Sequence, residues 1–444
     1  MWMLGKDSPT NPDFAGAIMD FNGDSAEVYT FFQELYFYQT NASICDTAGN
    51  LLFYTNGLKV ANALGEVMEN GEGLNPGSHA NTQGDYGYIL DQGAIIVPMP
   101  GSDSLYYLIH ADKQVPPGNI YSKYIYYNLI DMSLNGGLGA VVQKNQIIRE
   151  GAFEQGKLTL TRHANGADWW LVFRRYATNQ YHRYLITAEY ANLHIVGYAG
   201  DDAYINIYDF DRCTGDLYNP IQITYVDTAW SGGIAISPNS RFLYISSYKF
   251  VYQYDLWAND IPASKDTVAI YDGFTVTSPN FATTFSLAQL APDGKIYITS
   301  NTSVPYLHVI NYPDLPGDSC EVCQHCVELP TWNAFSIPNF PNYRLGPTEE
   351  PCVTAVEVPE EVLVQEMVRV YPNPATDYLW VEALEHSTSK PLGWSLYSAT
   401  GQVVRSAAIR GRRQLDLPNL APGLYFWKVQ NAEGQWQTGR VVVE

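Results

Sequence analysis

The residues whose types and spacing could do chemistry are cysteines, histidines and clustered carboxylates. Cys320, Cys323 and Cys326 stand in a C-x2-C-x2-C run, Cys352 follows 26 positions later, and Cys45 and Cys213 stand apart. Three thiolates with Cys352 or His325 could close a tetrahedral zinc site. An iron–sulfur run would put its fourth cysteine where Pro330 stands, so that pattern is excluded. The same even set of cysteines could instead form disulfides. Cys320, Cys323, Cys326 and Cys352 are the candidates, with Cys352 tying back to the 320–326 loop, although the pairing cannot be read from spacing.

His163 and Asp168 could act as an acid/base pair. They flank Asn165-Gly166, a dipeptide that favours a tight hairpin turn, and a turn is the expected reading. Ser78-His79 lies in a Gly-, Asn- and Pro-rich stretch with nothing to mark a nucleophile. No G-x-S-x-G elbow, H-E-x-x-H pair or G-x-x-x-x-G-K-[ST] loop occurs. Asp20-Phe21-Asn22-Gly23-Asp24 begins like a calcium loop, but Ser25 and Phe31 occupy the positions that need Gly and Glu. Asp201-Asp202 and Asp209-Phe210-Asp211 are similar oxygen-rich turns. A structural calcium ion could sit at one of these turns, but a solvated turn is the expected reading and no cofactor is expected. Paired carboxylates for glycoside cleavage need a separation set by the fold, so no catalytic residue is nominated.

These residues need elements to hold them. The 444 residues exceed one ordinary core. Hydrophobic residues make up 46% and charged residues 16%, the balance of a folded chain. The 34 Tyr, 10 Trp, frequent Gly and Pro and scarce helical periodicity favour an all-β protein. The formal charge of -21 repels a phosphate backbone and anionic lipid, so nucleic-acid partners are not expected. No apolar run reaches the length of a transmembrane helix.

Residues 1–345 carry a loose repeat. Ile236–Ser246 and Leu290–Thr299 each read as strand, Pro-Asn or Pro-Asp-Gly turn, strand, with their prolines 54 positions apart. Asp46–Tyr54 has the same form. A repeat of roughly 50 residues made of turns and short strands is the pattern of a propeller blade, which predicts a six- or seven-bladed β-propeller. A pair of β-sandwiches is the alternative. Residues 346–369 open with Gly346-Pro347-Thr348-Glu349-Glu350-Pro351 and read as an acidic linker. Residues 347–369 hold six Glu and one Arg, whereas residues 370–444 hold seven Lys or Arg against six acids. Residues 370–444 divide into about seven short strands, the pattern of a compact sandwich.

That last segment contains Tyr371-Pro372-Asn373-Pro374, a turn at Gly401, then Gly423-Leu424-Tyr425, and closes on Arg440–Glu444. In that order these pieces resemble the C-terminal sorting domain of type IX secretion cargo. The resemblance implies an Ig-like sandwich, handling by the type IX machinery, and a destination outside the cell or on its outer surface. It also implies a signal peptide, which the start Met1-Trp2-Met3-Leu4-Gly5-Lys6 lacks. Oxidising surroundings would favour disulfides over zinc. Asn50–Gly57, Val67–Leu74, Ala94–Pro100, His163–Trp170, Ser237–Leu256 and Asn339–Tyr343 are similar to the propeller region of secreted, often gliding-associated, surface proteins, a resemblance that implies no defined activity. The expected function is binding, through adhesion or contact with surface glycan, or self-association into an extracellular assembly. A hydrolase or lyase site at the propeller channel is the alternative, and it would need several acids and a His or Arg converging there.

Overall fold

A computed structural model describes the chain except at residues 6–11, 24, 85, 179, 188–190, 198–203, 225–230, 278–279, 349–351, 353–366, 385–390, 399–401, 419, 431–435 and 444. It forms two compact units, Met1–Cys352 and Val353–Glu444.

In the first unit, antiparallel sheets follow one another along the chain. The first is β1 (Trp2–Gly5), β2 (Gly16–Asp20) and β3 (Glu27–Phe31), and the second is β4 (Ala42–Cys45), β5 (Leu51–Thr55) and β6 (Val60–Asn62). A short helix, α1 (Ser78–Gln83), precedes the third, which is β7 (Ala94–Pro98), β8 (Leu105–Ala111), β9 (Ser122–Asp131) and β10 (Ala140–Phe153). The fourth is β11 (Thr159–Arg162), β12 (Trp169–Arg174), β13 (Gln180–Ile186) and β14 (Ala191–Gly197). The fifth is the pair β15 (Tyr204–Phe210) and β16 (Leu217–Thr224). The sixth is β17 (Ser231–Ile236), β18 (Phe242–Ser247), β19 (Phe250–Asp255) and β20 (Asp266–Ile270). After the hairpin β21 (Thr275–Thr277) and β22 (Asn280–Ala282), the seventh is β23 (Phe285–Leu290), β24 (Ile296–Ser300), β25 (Ser303–Ile310) and β26 (Val322–Ala334).

Each apolar core lies between consecutive sheets. Met3, Ile18 and Phe37 meet Leu51 and Tyr54, joining the first sheet to the second. Phe53 and Val60 meet Ile96 and Leu108, joining the second to the third. Ile95, Ile109 and Phe153 meet Trp169, Leu171 and Phe173, joining the third to the fourth. Rings of Trp170 and Phe210 carry contact to the fifth sheet. Ile205 and Ile223 meet Ile245 and Tyr252, and Tyr244 and Val251 meet Ile296 and Ile298. Trp2, Leu4 and Met19 then meet Leu307 and Val309, so the last sheet packs on the first and the ring closes. This is a β-propeller. A lone sheet of this kind leaves a face bare, and ring closure covers both faces.

The burial pattern follows from that geometry. Trp169–Phe173 of β12 is buried throughout, as a strand covered on both faces must be. Each large apolar side chain there contributes about 1.5–3 kcal/mol by leaving water. The outer strand β3 is largely exposed and alternates polar residues. Where β17 crosses β23, a Cβ on Gly232 or Gly233 would strike the backbone of Ser286 to Ala288, so only glycine admits the approach.

The stretch read as the start of a linker is held down. Cys352 is disulfide-bonded to Cys213, Thr348 N–H donates to the Ala164 carbonyl, and Arg212 donates to the Gly346 carbonyl. These contacts place 346–348 and Cys352 on the propeller unit.

The second unit is a sandwich. One sheet is β27 (Val368–Tyr371), β28 (Tyr378–Ala383) and β31 (Arg412–Asp416); the other is β29 (Leu392–Tyr397), β30 (Val403–Ile409), β32 (Gly423–Gln430) and β33 (Trp436–Val443). Val368, Leu379 and Val381 of the first sheet pack with Trp394, Trp427 and Val441 of the second.

Candidate functional site

A cavity lies among the inner strands of the ring. Its volume is about 470 Å³, and its walls come from β11, β12, β13, β15, β17 and β23, with Gln92 and the segment 337–339. Apolar walls are provided by Val172, Phe173, Ile205, Ile234, Leu287 and Ile337. Ile234 is 47% exposed although it sits on an inner strand, because the cavity rather than a neighbouring sheet faces it.

Polar groups enter from a few positions. Lys157 N–H donates to the Asp91 carbonyl and Leu158 N–H to the Gln92 carbonyl, at 3.3 and 3.2 Å, so the two loops that carry Gln92 and Lys157 are tied together. Both residues have left-handed backbones, φ 51° for Gln92 and φ 56° for Lys157, a conformation that side chains other than glycine seldom adopt. Glu154 Oε1 lies 3.0 Å from Arg174 Nη2, and it is the sole carboxylate lining the cavity among the described residues.

One wall is the chain leaving β26. Asn339 is buried; its amide donates to the Ala94 and Leu158 carbonyls at 3.1 and 3.0 Å, and its N–H to the Asn41 carbonyl at 2.9 Å. Asn41 in turn donates to the Met3 carbonyl and Ser336 Oγ. Tyr343 donates to the Ile96 carbonyl and Arg344 to the Pro292 carbonyl. This segment hydrogen-bonds carbonyls from β7 and from loops beside β4, β11 and β24, so it is tied to several sheets of the ring.

A second cluster holds the residue types of nucleophilic catalysis. Ser300 Oγ lies 3.4 Å from His308 Nε2, and both side chains are buried. His308 Nδ1 accepts the His325 backbone N–H at 3.1 Å, so the ring proton is on Nε2, which donates toward Ser300. An imidazole in that tautomer cannot take the serine proton. Burial lowers its pKa to about 4. His325 has φ 43°, stacks on Phe274 at 4.1 Å and bonds Asp272 Oδ2 at 2.9 Å. Two further histidines are buried: burial lowers His110, bonded to Asn75, to about 3, and lowers His182, between Phe153 and Phe173, to about 4.

The cysteines divide differently from expectation. Cys323 pairs with Cys326 and Cys213 with Cys352, while Cys45 and Cys320 are free thiols. Cys352 therefore does not reach the 320–326 loop; its partner comes from the turn after β15. Cys320 is not a disulfide residue. It is buried beside Tyr244, and burial pushes its thiol up to about 11. With four thiols consumed in pairs, the zinc alternative loses its ligands.

His163 and Asp168 form the turn. Asn165 N–H donates to His163 Nδ1, Asn165 Nδ2 donates to Asp168, and His163 Nε2 faces the Cys213 carbonyl at 3.1 Å. The oxygen-rich turns bond their own backbones: Asp20 accepts from Asn22 N–H, and Asp211 from Cys213 and Thr214 N–H. Asp24, Asp201 and Asp202 lie outside the described residues. No group of three or more metal-ligating side chains occurs among the described residues.

In the second unit, Tyr371 donates to Glu382 at 2.9 Å and has Arg412 over its ring. The bonds Tyr371–Pro372 and Asn373–Pro374 are cis. Asn373 Oδ1 accepts Val442 N–H at 2.9 Å, and its amide donates to the Arg440 carbonyl, so the Y-P-N-P start is bound to the last strand. Gly423 opens β32, Leu424 faces solvent, and Tyr425 is buried with its hydroxyl on the Ala421 carbonyl. Gly401 lies outside the described residues.

Lys157, Gln92 and the Glu154–Arg174 pair escaped sequence reading. Gly156-Lys157 looks like any polar turn, and nothing local shows that it faces Gln92 across a cavity.

Residues 369–444 match the family described as the secretion system C-terminal sorting domain. No curated protein matches the chain. Among solved structures, it is similar to the extracellular domain of a protein assigned as a hybrid two-component system of B. thetaiotaomicron, at 10% identity and TM-score 0.35, covering 100% of this chain and 55% of that one. The chain thus spans just over half the length of that relative. It is also similar to a protein from Lactobacillus plantarum, at 9% identity and TM-score 0.36, covering 85% and 99%. A third is the periplasmic gluconolactonase of Pseudomonas aeruginosa, at 10% identity and TM-score 0.26, covering 100% and 96%. With its sorting domain, the chain is type IX secretion cargo, handled by that machinery and exported to the cell surface or the extracellular space.

Proposed function

We propose that this type IX cargo protein works outside the cell by binding, and that the cavity among its inner strands is where a small polar ligand, a surface glycan, is held. The supporting observation is the cavity's lining: amide and apolar side chains from several sheets, with a single carboxylate already neutralised by Arg174. Glycoside hydrolysis needs a separate acid and base carboxylate, and one ion-paired glutamate does not provide them. Amides and hydroxyls both donate and accept, which suits sugar hydroxyls, and apolar walls suit their C–H faces.

The test is a panel of saccharides titrated calorimetrically into the full chain, with product analysis on the same samples. Saturable binding without turnover supports the reading. Cleavage of a polysaccharide that is abolished by Glu154→Gln would establish the hydrolase or lyase alternative. Light scattering on the same material addresses the assembly role: regular high-mass particles with no saccharide bound would replace ligand binding by self-association.

A further inference from the structure

We infer that the cavity selects a saccharide bearing one carboxylate, a uronic acid or the acidic end of a glycan, with the Lys157 ammonium as the anchor for the carboxylate. The inference rests on the binding reading above and adds the ligand's charge and class.

The chain carries a formal charge of -21, yet the charged residues lining this cavity are Glu154, Lys157 and Arg174. Glu154 and Arg174 cancel at 3.0 Å, which leaves a local excess of one positive charge. Among the described residues, neither the Lys157 ammonium nor the Gln92 side-chain amide has a partner. An exposed cation without a partner that borders a partly apolar cleft favours an anion there. Elsewhere the acidic surface repels anions, so this cavity is a place where a monoanion gains rather than loses.

The backbone gives a second, independent reason. Gln92 and Lys157 hold left-handed conformations, φ 51° and φ 56°, that glycine would accept without strain. Both residues line this one cavity, and ligand-holding positions are among the places where strained backbones recur. The cross-loop hydrogen bonds from Lys157 and Leu158 to Asp91 and Gln92 fix both backbones, which places the two Cα positions beside the cavity.

Ligand class follows from the donors. One unpaired cation balances one negative charge, so a monoanionic carboxylate is matched more closely than a phosphate dianion, and Arg174 is already engaged. Gln92, Thr159 and Gln289 supply neutral groups for hydroxyls, with Phe173 and Ile234 as apolar walls. About 470 Å³ lies within the range of small-molecule sites.

Glucuronate and galacturonate, each beside glucose and galactose, are titrated into the full chain and into Lys157→Met and Lys157→Arg. The expected result is uronate binding at least about tenfold tighter than that of the neutral sugar. Lys157→Met should bring uronate down to the neutral-sugar level, Lys157→Arg should retain most of the preference, and melting temperatures should be unchanged. Salt should weaken uronate binding and leave neutral-sugar binding alone. Equal binding of uronate and neutral sugar, or a preference that survives Lys157→Met, overturns the charge inference while the binding reading stands. Binding of neither class, with the melting temperatures intact, overturns both.

Discussion

The Ser300–His308–His325 cluster and the Lys157 cavity hold the most reactive-looking side chains of the propeller, and they differ in what is already satisfied. In the cluster, His308 Nδ1 takes a backbone N–H and His325 is bonded to Asp272 and stacked on Phe274. In the cavity, the Lys157 ammonium and the Gln92 side-chain amide have no partner among the described residues. A catalytic-looking set with its hydrogen bonds consumed is architecture, and an unremarkable lysine with an unpaired ammonium is where we infer a site. Residue type therefore says less than the state of each polar group after folding.

The largest effect that would test this contrast is acid lability. His308, His182 and His110 are held neutral by burial, with pKa values of about 4, 4 and 3. Their unfolded value is near 6.5, so the unfolded chain binds more protons below it and stability falls as pH drops from about 6.5 toward 4. Together they should remove on the order of 8 kcal/mol between pH 7 and pH 4.5, at about 1.4 kcal/mol per unit for each. Urea midpoints at stepped pH measure this, and His308→Gln should flatten the slope by about a third. A slope unaffected by that change would mean His308 is accessible, and the cluster would no longer count as closed.

Disulfide removal comes next. Cys213–Cys352 spans 139 positions, and loop entropy puts its loss, in Cys213→Ala with Cys352→Ala, at about 5 kcal/mol. Cys323–Cys326 spans 3 positions around His325 and should contribute about 2 kcal/mol by the same argument. Thermal unfolding of both double variants checks the order. A larger loss from Cys323 and Cys326 would show that the short bridge holds the cluster together by more than loop closure.

Asn339→Ala probes the cavity's own wall. It strands the Ala94 and Leu158 carbonyls, and the expected loss is about 3 kcal/mol by calorimetry. Lys157→Met should be the mildest, within about 0.5 kcal/mol of the parent, because an exposed ammonium without partners supports nothing. A clear loss of stability there would show that Lys157 is structural and would erase the contrast with the cluster.

Much of the propeller was legible. The Pro238 and Pro292 turns do precede strands of adjacent sheets, β18 and β24, because Pro-Asn and Pro-Asp-Gly fix local backbone angles. The Asn165-Gly166 turn was legible for the same local reason. The cysteine pairing was not: Cys213 and Cys352 are far apart in sequence, and only ring closure brings the turn after β15 to the chain's exit from the propeller. The cavity was illegible too, since Gln92 and Lys157 meet through loop-to-loop hydrogen bonds that no periodicity encodes.

By itself, the sequence determined the all-β class, the repeat, the acidic surface and the sorting signal, because each depends on composition or on residues near one another in the chain. Even the sorting signal's ends, Asn373 and Val442, had to be joined by folding before their hydrogen bond could form. The tertiary structure alone decided which thiols pair, which histidines lose their charge, and that the Lys157 ammonium has no partner among the described residues. Those outcomes depend on burial and on contacts between distant strands, and a linear chain specifies both only once the ring has closed.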